Sequence, residues 1–384
     1  MIHFDQKAVF ISRPNRFQLW VKFISGELGG KEELVYMANP GRLVEILHPG
    51  TVIWLEKAKN PKSKMPWAAT AVETAWGVIS LNTHLANDVA EYLLRRHLVA
   101  GLGDWDVVRR EIKMGNSRFD FLLGRKDKKG NEELLYLEVK SCSLYSARTT
   151  QFPDAVTARG KKHIDELVHL SEKGVPTAVL LLSQNPSSEF FLPDWHTDIE
   201  FAQSFMAARG KVGLYPVAQA FSPIDGSLLG EPKPLTIPWA VIEEHAKDEG
   251  CYLMVYELDA DKKISIGALG ELEFKAGFYL YVGSAKKNLQ KRMARHRKKR
   301  KKLHWHLDYF SAHAASAQAF AIAAQGDLEC RLAAAFKKLA VKEIPKFGSS
   351  DCKCESHFFY FQSNPTHNPD FHKNLQFFRI EELL

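Results

Sequence analysis

Until Asn87 the sequence has no helical period, only short apolar runs broken by turn residues: "RFQLWVKFI", "ELVYMA", "NPGR", "HPGTVIWLEK", "KNPKSKMPW" and "TAVETAWGVISL". Many short strands punctuated by Gly and Pro predict a small β-barrel. The pattern then changes. In "NDVAEYLLRRHL" apolar residues recur at helical spacing behind Asn87 as N-cap. "DVVRREIKM", a Gly115-Asn116 turn, "SRFDFLLG", the polar turn "RKDKKGN" and "ELLYLEVKSCSL" read as three strands. A helix is expected from near Pro153 to Gly174, then the apolar strand "VPTAVLLLS". Helix, three strands, helix, strand is an α/β order. The Pro-rich "GEPKPLTIPW" marks a second break, after which "GCYLMVYEL" and "GFYLYVGS" read as strands, and the basic run and "ECRLAAAFKKLA" as helices. At 384 residues the chain exceeds one ordinary core, and these breaks predict three domains, 1–85, 86–234 and 235–384.

The hydrophobic fraction of 45% is that of a globular protein. No apolar run approaches the roughly 20 residues that span a bilayer, and the first residues lack a signal-peptide apolar core. Five cysteines, an odd number, suit a reducing compartment, so a cytoplasmic protein with no membrane partner is expected. Cys142, Cys251 and Cys330 sit among apolar residues and read as buried thiols. The formal charge is +7, and from Leu235 onward 23 Lys and Arg face 18 Asp and Glu. Lys286 to Lys302 alone carries eleven basic residues and no acid. That run predicts a polyanionic partner, DNA or RNA, with a solvated helix face as the plainer alternative.

"LYLEVKS" sets Glu138 and Lys140 two positions apart on an otherwise apolar strand, so the two side chains share a face. That is a poor way to fill a core and a good way to hold a metal ion and a water beside a phosphate. Asp120, in the preceding strand, can converge on them if the two strands form a hairpin. Hard carboxylate ligands select Mg²⁺ or Mn²⁺. On spacing alone, a surface ion pair between Glu138 and Lys140 explains the motif equally well.

The element order with Asp120 and Glu138-x-Lys140 resembles the PD-(D/E)xK nuclease fold. The longer strings "KNPKSKMPW", "NTHLAN", "REIKMGNSRFDFLL", "LEVKS" and "FPDAVTARGKKHIDEL" resemble the sugar fermentation stimulation protein A (SfsA) family over about residues 1 to 232. That resemblance implies an OB-like N-terminal domain, a PD-(D/E)xK nuclease domain and nucleic-acid binding. It makes Asp120 and Glu138 metal ligands, Lys140 the residue that holds or polarises water, and Glu91 the fold's optional acidic residue. Arg159, Lys162 and His163 on the next helix become phosphate contacts. In the barrel, Arg13, Arg16, Asn39 and Arg42 are candidate contacts, although "NPGR" stands where relatives more often read N-T-G followed by a polar residue. OB barrels usually bind single strands by stacking bases on aromatics. Phe17, Trp20 or Tyr36 would serve, with a place in the core as the simpler reading.

The string "YVGSAKKNLQKRMARH" places Tyr281 and Gly283 at a strand end and Arg292, Arg295 and His296 on one helical face. It resembles a GIY-YIG nuclease domain. The resemblance makes Tyr252, in "GCY", the first tyrosine, Tyr281 and Gly283 the YIG segment, Arg292 the phosphate-stabilising arginine and Glu329 the metal-binding glutamate. "GCY" departs from GIY, and one additional residue precedes Arg292. Taken whole, residues 250 to 362 resemble an uncharacterised GIY-YIG-like family, which is either a nuclease or a binding module. Arg295 and His296 extend the basic nucleic-acid surface. "DCKCESH" offers Cys352, Cys354 and His357 as zinc ligands with His304 or His306 as a fourth, but C-x-C-x2-H is no standard finger spacing and a packed turn is the default. Two functions stand: a Mg²⁺- or Mn²⁺-dependent nuclease acting on DNA or RNA of single-stranded character, and a non-catalytic DNA-binding regulator of sugar metabolism genes.

Overall fold

In β2 (Gln18–Phe23), Leu19, Val21 and Phe23 are buried and Trp20 and Lys22 between them are exposed, the alternation that lays a strand over a core. It pairs on one side with β1 (Gln6–Asn15) and on the other with β3 (Glu32–Met37). β4 (Val52–Lys57) adds to the free side of β1, β5 (Trp67–Thr74) to β4, and β6 (Gly77–Ser80) to β5. A short parallel pairing, Tyr36 with Ala68 and Met37 with Ala69, joins β3 to β5 and closes the barrel. The computed structural model describes residues 1–384 except 61, 115, 116 and 351, so the expected Gly115-Asn116 turn lies outside the described residues.

The first helix, α1 (Leu85–Arg95), starts before Asn87. Asn82 accepts the His84 N–H, which leaves Asn87 inside the first turn and free for another task. Strands β7 (Asp106–Met114), β8 (Ser117–Lys126) and β9 (Glu132–Cys142) follow as an antiparallel meander. Two short strands, β10 (Leu144–Tyr145) and β11 (Thr149–Phe152), precede α2 (Ala158–Glu172). This helix begins well after Pro153, because Thr157 caps it by accepting the Gly160 N–H. Next come β12 (Thr177–Ser183), β13 (Phe190–Pro193), α3 (Ile199–Ala207), β14 (Gly213–Phe221) and β15 (Leu228–Pro234). The main sheet runs β15-β14-β12-β9-β8-β7, and β10, β11 and β13 form a second small sheet. β12 is buried at every residue and parallel to β9, as a strand covered by helices on both faces must be. Ala86, Val89, Ala90 and Leu93 of α1 pack on one face of the sheet, and Ile164 and Leu167 of α2 with Phe201 and Phe205 of α3 on the other. The first of these cores also takes in Ile2, Trp54, Ala71 and Val78, so barrel and α/β fold share apolar contacts.

These elements form one compact unit, Met1–Asp194 with Glu200–Trp239; the other is Trp195–Ile199 with Ala240–Leu384. The second holds most of α4 (Trp239–His245), then β16 (Gly250–Leu258), β17 (Lys262–Ser265), β18 (Glu271–Phe274), β19 (Gly277–Ala285), α5 (Leu289–Arg297) and α6 (His306–Ser311). β20 (Ser316–Ile322), α7 (Glu329–Lys337), β21 (Lys342–Glu343), β22 (Phe358–Phe361) and α8 (Pro369–Arg379) complete it. Its sheet runs β20-β16-β19-β22-β21, with Leu253, Val255, Leu280 and Val282 packed on Phe336 and Phe371. The short segment from residue 195 belongs to this unit. Trp195 Nε1 donates to the Ala323 carbonyl at 2.7 Å, and the Ala323 N–H to His196 Nδ1 at 3.0 Å.

Candidate active site

β8 and β9 pair from Lys126 opposite Glu132 down to Phe121 opposite Leu137, and there the ladder stops. Phe119 and Phe121, two apart, pack into different cores, so β8 turns over at Asp120. Asp120 fills the fork: its Oδ2 accepts the Val139 N–H at 2.7 Å and its Oδ1 accepts Asn87 Nδ2 at 2.8 Å. On β9, Leu137 and Val139 face the α1 core, which turns Glu138 and Lys140 to the other side. Glu138 is 4% exposed, and its Oε1 accepts both Lys140 Nζ at 2.6 Å and His163 Nδ1 of α2 at 2.5 Å. Glu138 Oε2 is buried with no partner. Burial and the Glu138 charge raise the Asp120 carboxyl above its ordinary range. Burial also pushes Glu138 upward, but the His163 hydrogen bond and the Lys140 charge outweigh it and leave this carboxyl below its ordinary range. The buried carboxylate of Glu138 is thus compensated and the half-buried one of Asp120 is not, an imbalance that a bound divalent cation would relieve. The donor set, hard oxygens with one buried orphan, fits Mg²⁺ or Mn²⁺.

Beside this fork is an open cleft of about 440 Å³ lined by Ser117, Arg118, Ala158, Arg159, Lys162 and His163. Arg159 and Lys162 are exposed along it, whereas His163 is buried behind it on Glu138 and so positions the carboxylate instead of touching a phosphate. Glu91 does not join the site. Its two oxygens are taken by Arg95 and Arg110, each at 2.8 Å, and it is Asn87, one turn earlier on α1, that reaches Asp120. Arg118 and Asn87 were missed. Arg118 stands two residues before Asp120 on β8 and lines the cleft, with only its nearness in sequence to signal it; Asn87 reads in the sequence as a cap.

In the barrel, Arg13, Asn39 and Arg42 are engaged in the protein's own framework. Arg13 donates to the carbonyls of Arg42 at 2.5 Å, Arg16 at 2.9 Å and Asn39 at 3.1 Å. Asn39 is buried and accepts the Gly41 N–H in a side-chain turn. Arg42 Nε donates to the Asp154 carbonyl at 2.6 Å. A Cβ at Gly41 would collide with the Asp154 carboxylate, so this close approach of "NPGR" to "FPDA" requires glycine. Arg16 is exposed, its guanidinium 4.9 Å from the centre of the Phe17 ring. Phe17, Trp20 and Tyr36 are 38%, 40% and 40% exposed, which overturns the simpler reading of them as core. Gln18 pairs with Tyr36 and Trp20 with Leu34, so Trp20 and Tyr36 are diagonal neighbours on the outer face.

In the second unit Tyr252 lies opposite Gly283 across β16 and β19. A Cβ at Gly283 would sit 2.6 Å from Tyr252 Oη and 2.7 Å from Tyr281 Cε1, which is why both rings close over a glycine. The ring centres of Tyr252 and Tyr281 are 6.2 Å apart. Burial raises both phenols, against the nearby Arg292 charge, while Glu329 raises them further. Arg292 Nη1 donates to the Ser284 carbonyl at 2.8 Å and the side chain is exposed, so Tyr252, Tyr281, Arg292 and Glu329 are brought together. Arg295 and His296 are not free surface. Arg295 forms a two-pronged pair with buried Asp308, both contacts 2.8 Å, and His296 is 3% exposed with Nε2 3.1 Å from Tyr252 Oη. The basic run is helical only to Arg297. His304 stacks edge-on against Trp305 and His306 against Phe347, and neither joins Cys352, Cys354 and His357; the residue that does is Cys330, which is not the buried thiol expected.

A closed small barrel, an α/β sheet whose fork gathers Asp120, Glu138 and Lys140, and a sheet with paired tyrosines define an OB-like domain, a PD-(D/E)xK fold and a GIY-YIG-like domain. Residues 11–81 match the SfsA N-terminal OB domain, 84–223 the sugar fermentation stimulation protein RE domain, and 251–379 a domain of unknown function, DUF123. The chain belongs to the sugar fermentation stimulation protein family. It is 37% identical over 204 residues to a sugar fermentation stimulation protein homolog of Clostridium tetani, covering 53% of this chain and 85% of that one. To the homolog of Methanosphaera stadtmanae it is 38% identical over 215 residues, 54% of this chain and 84% of that one. The structure of Pyrococcus furiosus SfsA matches the fold with a TM-score of 0.53 at 22% identity, over 62% of this chain and 97% of that one. No helix among the described residues is long and apolar enough to cross a membrane.

Proposed function

We propose that this chain is a divalent-metal-dependent nuclease that hydrolyses phosphodiester bonds of DNA or RNA, with Asp120, Glu138 and Lys140 as its catalytic set. The observation that carries the reading is the buried, unpartnered Glu138 Oε2 facing a site where Asp120 is held against its own charge preference. The Pyrococcus furiosus relative was solved in complex with Ca²⁺, another hard cation. Asp120 and Glu138 would hold Mg²⁺ or Mn²⁺, which when bound supplies a Lewis acid at the phosphate and lowers the pKa of water. Asn87 and the Val139 N–H fix the Asp120 carboxylate, and His163 fixes Glu138. Lys140, 11% exposed at its side chain, has its Nζ 2.6 Å from Glu138 Oε1 and is placed to hold the attacking water or to stabilise charge on the phosphate. Arg118, Arg159 and Lys162 would carry the strand along the cleft by its phosphates.

The exposed aromatics on β2 and β3 support a single-stranded partner, since stacking on the barrel needs unpaired bases. Tyr252, Tyr281, Arg292 and Glu329 would serve as a second catalytic or binding set. The test incubates purified protein with labelled single- and double-stranded DNA and RNA in Mg²⁺ or Mn²⁺, beside Glu138→Ala, Arg292→Ala and the double variant. Cleavage lost in Glu138→Ala with binding retained is the expected result. Wild-type protein that binds and cuts nothing would instead favour the non-catalytic regulator, and loss confined to Arg292→Ala would move the chemistry to the second unit.

A further inference from the structure

Cys330 lies in the first turn of α7, and Cys352, Cys354 and His357 lie in the loop that enters β22. They are up to 27 residues apart in sequence, yet one ligand atom from each lies within 4.8 Å of all the others. No disulfide uses any of the three cysteines. We propose that these four residues form a tetrahedral Cys₃His zinc site that fixes the 352–357 loop to the start of α7. Tetrahedral zinc, with Zn–S of about 2.3 Å and Zn–N of about 2.0 Å, sets sulfurs about 3.8 Å apart and sulfur about 3.6 Å from nitrogen. Cys352 Sγ is 3.5 Å from His357 Nε2.

The second shell supplies an independent argument. His357 is 1% exposed, and its Nδ1 is 3.1 Å from Glu329 Oε1. A carboxylate can only accept, so Nδ1 carries the proton and Nε2 presents its lone pair toward the thiols. Carboxylate, histidine, metal is the arrangement by which proteins orient a ligating imidazole. A histidine packed for its own sake would not need its second nitrogen set 3.5 Å from the Cys352 sulfur, in a group of three cysteines. Three thiolates and an imidazole are soft and borderline ligands, which select zinc over the Mg²⁺ or Mn²⁺ suited to the carboxylates of the other unit. Because His357 also holds Glu329, the metal positions that carboxylate beside the tyrosine pair.

The experiment measures metal in the full chain purified without chelators, by mass spectrometry of the elements. About one zinc per chain is expected. Asp120→Asn and Cys251→Ala should keep it, and Cys352→Ser with Cys354→Ser should lower it below about a tenth. A thiol-displacing mercurial added to wild-type protein should release the zinc stoichiometrically, a readout that holds even if the double variant does not fold. Cobalt substituted for zinc should give the intense visible absorption of tetrahedral thiolate coordination. Wild-type protein that holds no zinc after incubation with an equimolar amount, zinc that survives the double substitution, or a weak octahedral cobalt spectrum would each overturn the proposal.

Discussion

Asp120→Asn separates the metal from the chemistry, and its effect can be worked out before any substrate is added. In the metal-free protein, Asp120 is half-buried near the Glu138 charge, and its raised pKa means that its ionised form costs the folded state stability at neutral pH. Asparagine removes that cost but gives up a charge-assisted hydrogen bond, since an amide NH2, which only donates, replaces one of the two oxygens that now accept from Asn87 and the Val139 N–H. Such a bond contributes about 1.5–3 kcal/mol, so the two effects oppose and the metal-free variant should lie within about 2 kcal/mol of wild type. With metal the two proteins diverge. A ligand at about 100 times its dissociation constant stabilises the native state by about 2.7 kcal/mol. For a unit the size of this one, roughly 2–4 °C per kcal/mol gives a rise in Tm of roughly 5–10 °C. Differential scanning fluorimetry with Mn²⁺ and with Ca²⁺ should show that rise in wild type and its absence in Asp120→Asn. A rise of equal size in the variant would place the metal elsewhere, and no rise in wild type at millimolar Mn²⁺ would remove the reasoning from Asp120 altogether.

Trp20→Ala and Tyr36→Ala should each weaken single-stranded binding by about 1–3 kcal/mol, or roughly 5- to 150-fold, and leave Tm nearly unchanged because both rings are exposed; fluorescence anisotropy checks the first and calorimetry the second. Gly283→Ala should destabilise the second unit by about 1–3 kcal/mol, since the buried Tyr252 ring and the half-buried Tyr281 ring must move, and an unchanged denaturant midpoint would contradict the packing. His296 should make the second unit acid-sensitive. Burial, then the Lys301 charge, lowers its pKa to about 4 from 6.5, with Asp308 pulling the other way. Between those values the unfolded chain binds the proton and the folded one does not, so this contribution is complete above about pH 6.5 and falls as pH drops toward 4. The loss between pH 7 and pH 5 is about 2 kcal/mol. Urea titrations at the two pH values should show it, and His296→Gln should flatten the slope.

Some of this architecture was legible in the sequence because the physics is local. Alternation marks β2 whatever surrounds it, β9 shows as a short apolar run, and Glu138 and Lys140 two apart on a strand must share a face. Asp120 was legible as a partner because only a hairpin turn separates its strand from theirs. Other parts depend on distant contacts. α1 begins at Leu85, behind a turn in which the Asn82 side chain accepts the His84 N–H, so Asn87 lies inside the helix and reaches Asp120. His163 and Glu138 are 25 residues apart, and no spacing rule relates a residue of α2 to one of β9.

The same distinction explains why basic residues were the least legible. Charge is visible in a sequence, but whether it is spent inside the protein is not. Arg13, Arg42 and Arg295 look like phosphate ligands on composition, yet each is held by the protein's own acceptors: loop carbonyls for Arg13 and Arg42, and the buried Asp308 for Arg295. Asp308 is 0% exposed, and Arg295 with the backbone N–H groups of Trp305 and His304 holds its carboxyl down to about 2 against the upward push of burial. A guanidinium bound in that way is a structural support; removing it leaves Asp308 to Lys301, 3.3 Å away, and the two backbone N–H groups, so the cost should fall below the roughly 3–5 kcal/mol of a fully stranded buried charge. Arg159 and Lys162 are exposed on the cleft beside Glu138, Lys162 with Glu166 3.7 Å away on the same helix. Loss of either should therefore weaken nucleic-acid binding and reduce its salt dependence by about one ion, whereas Arg295→Ala should show itself first in the stability of the second unit.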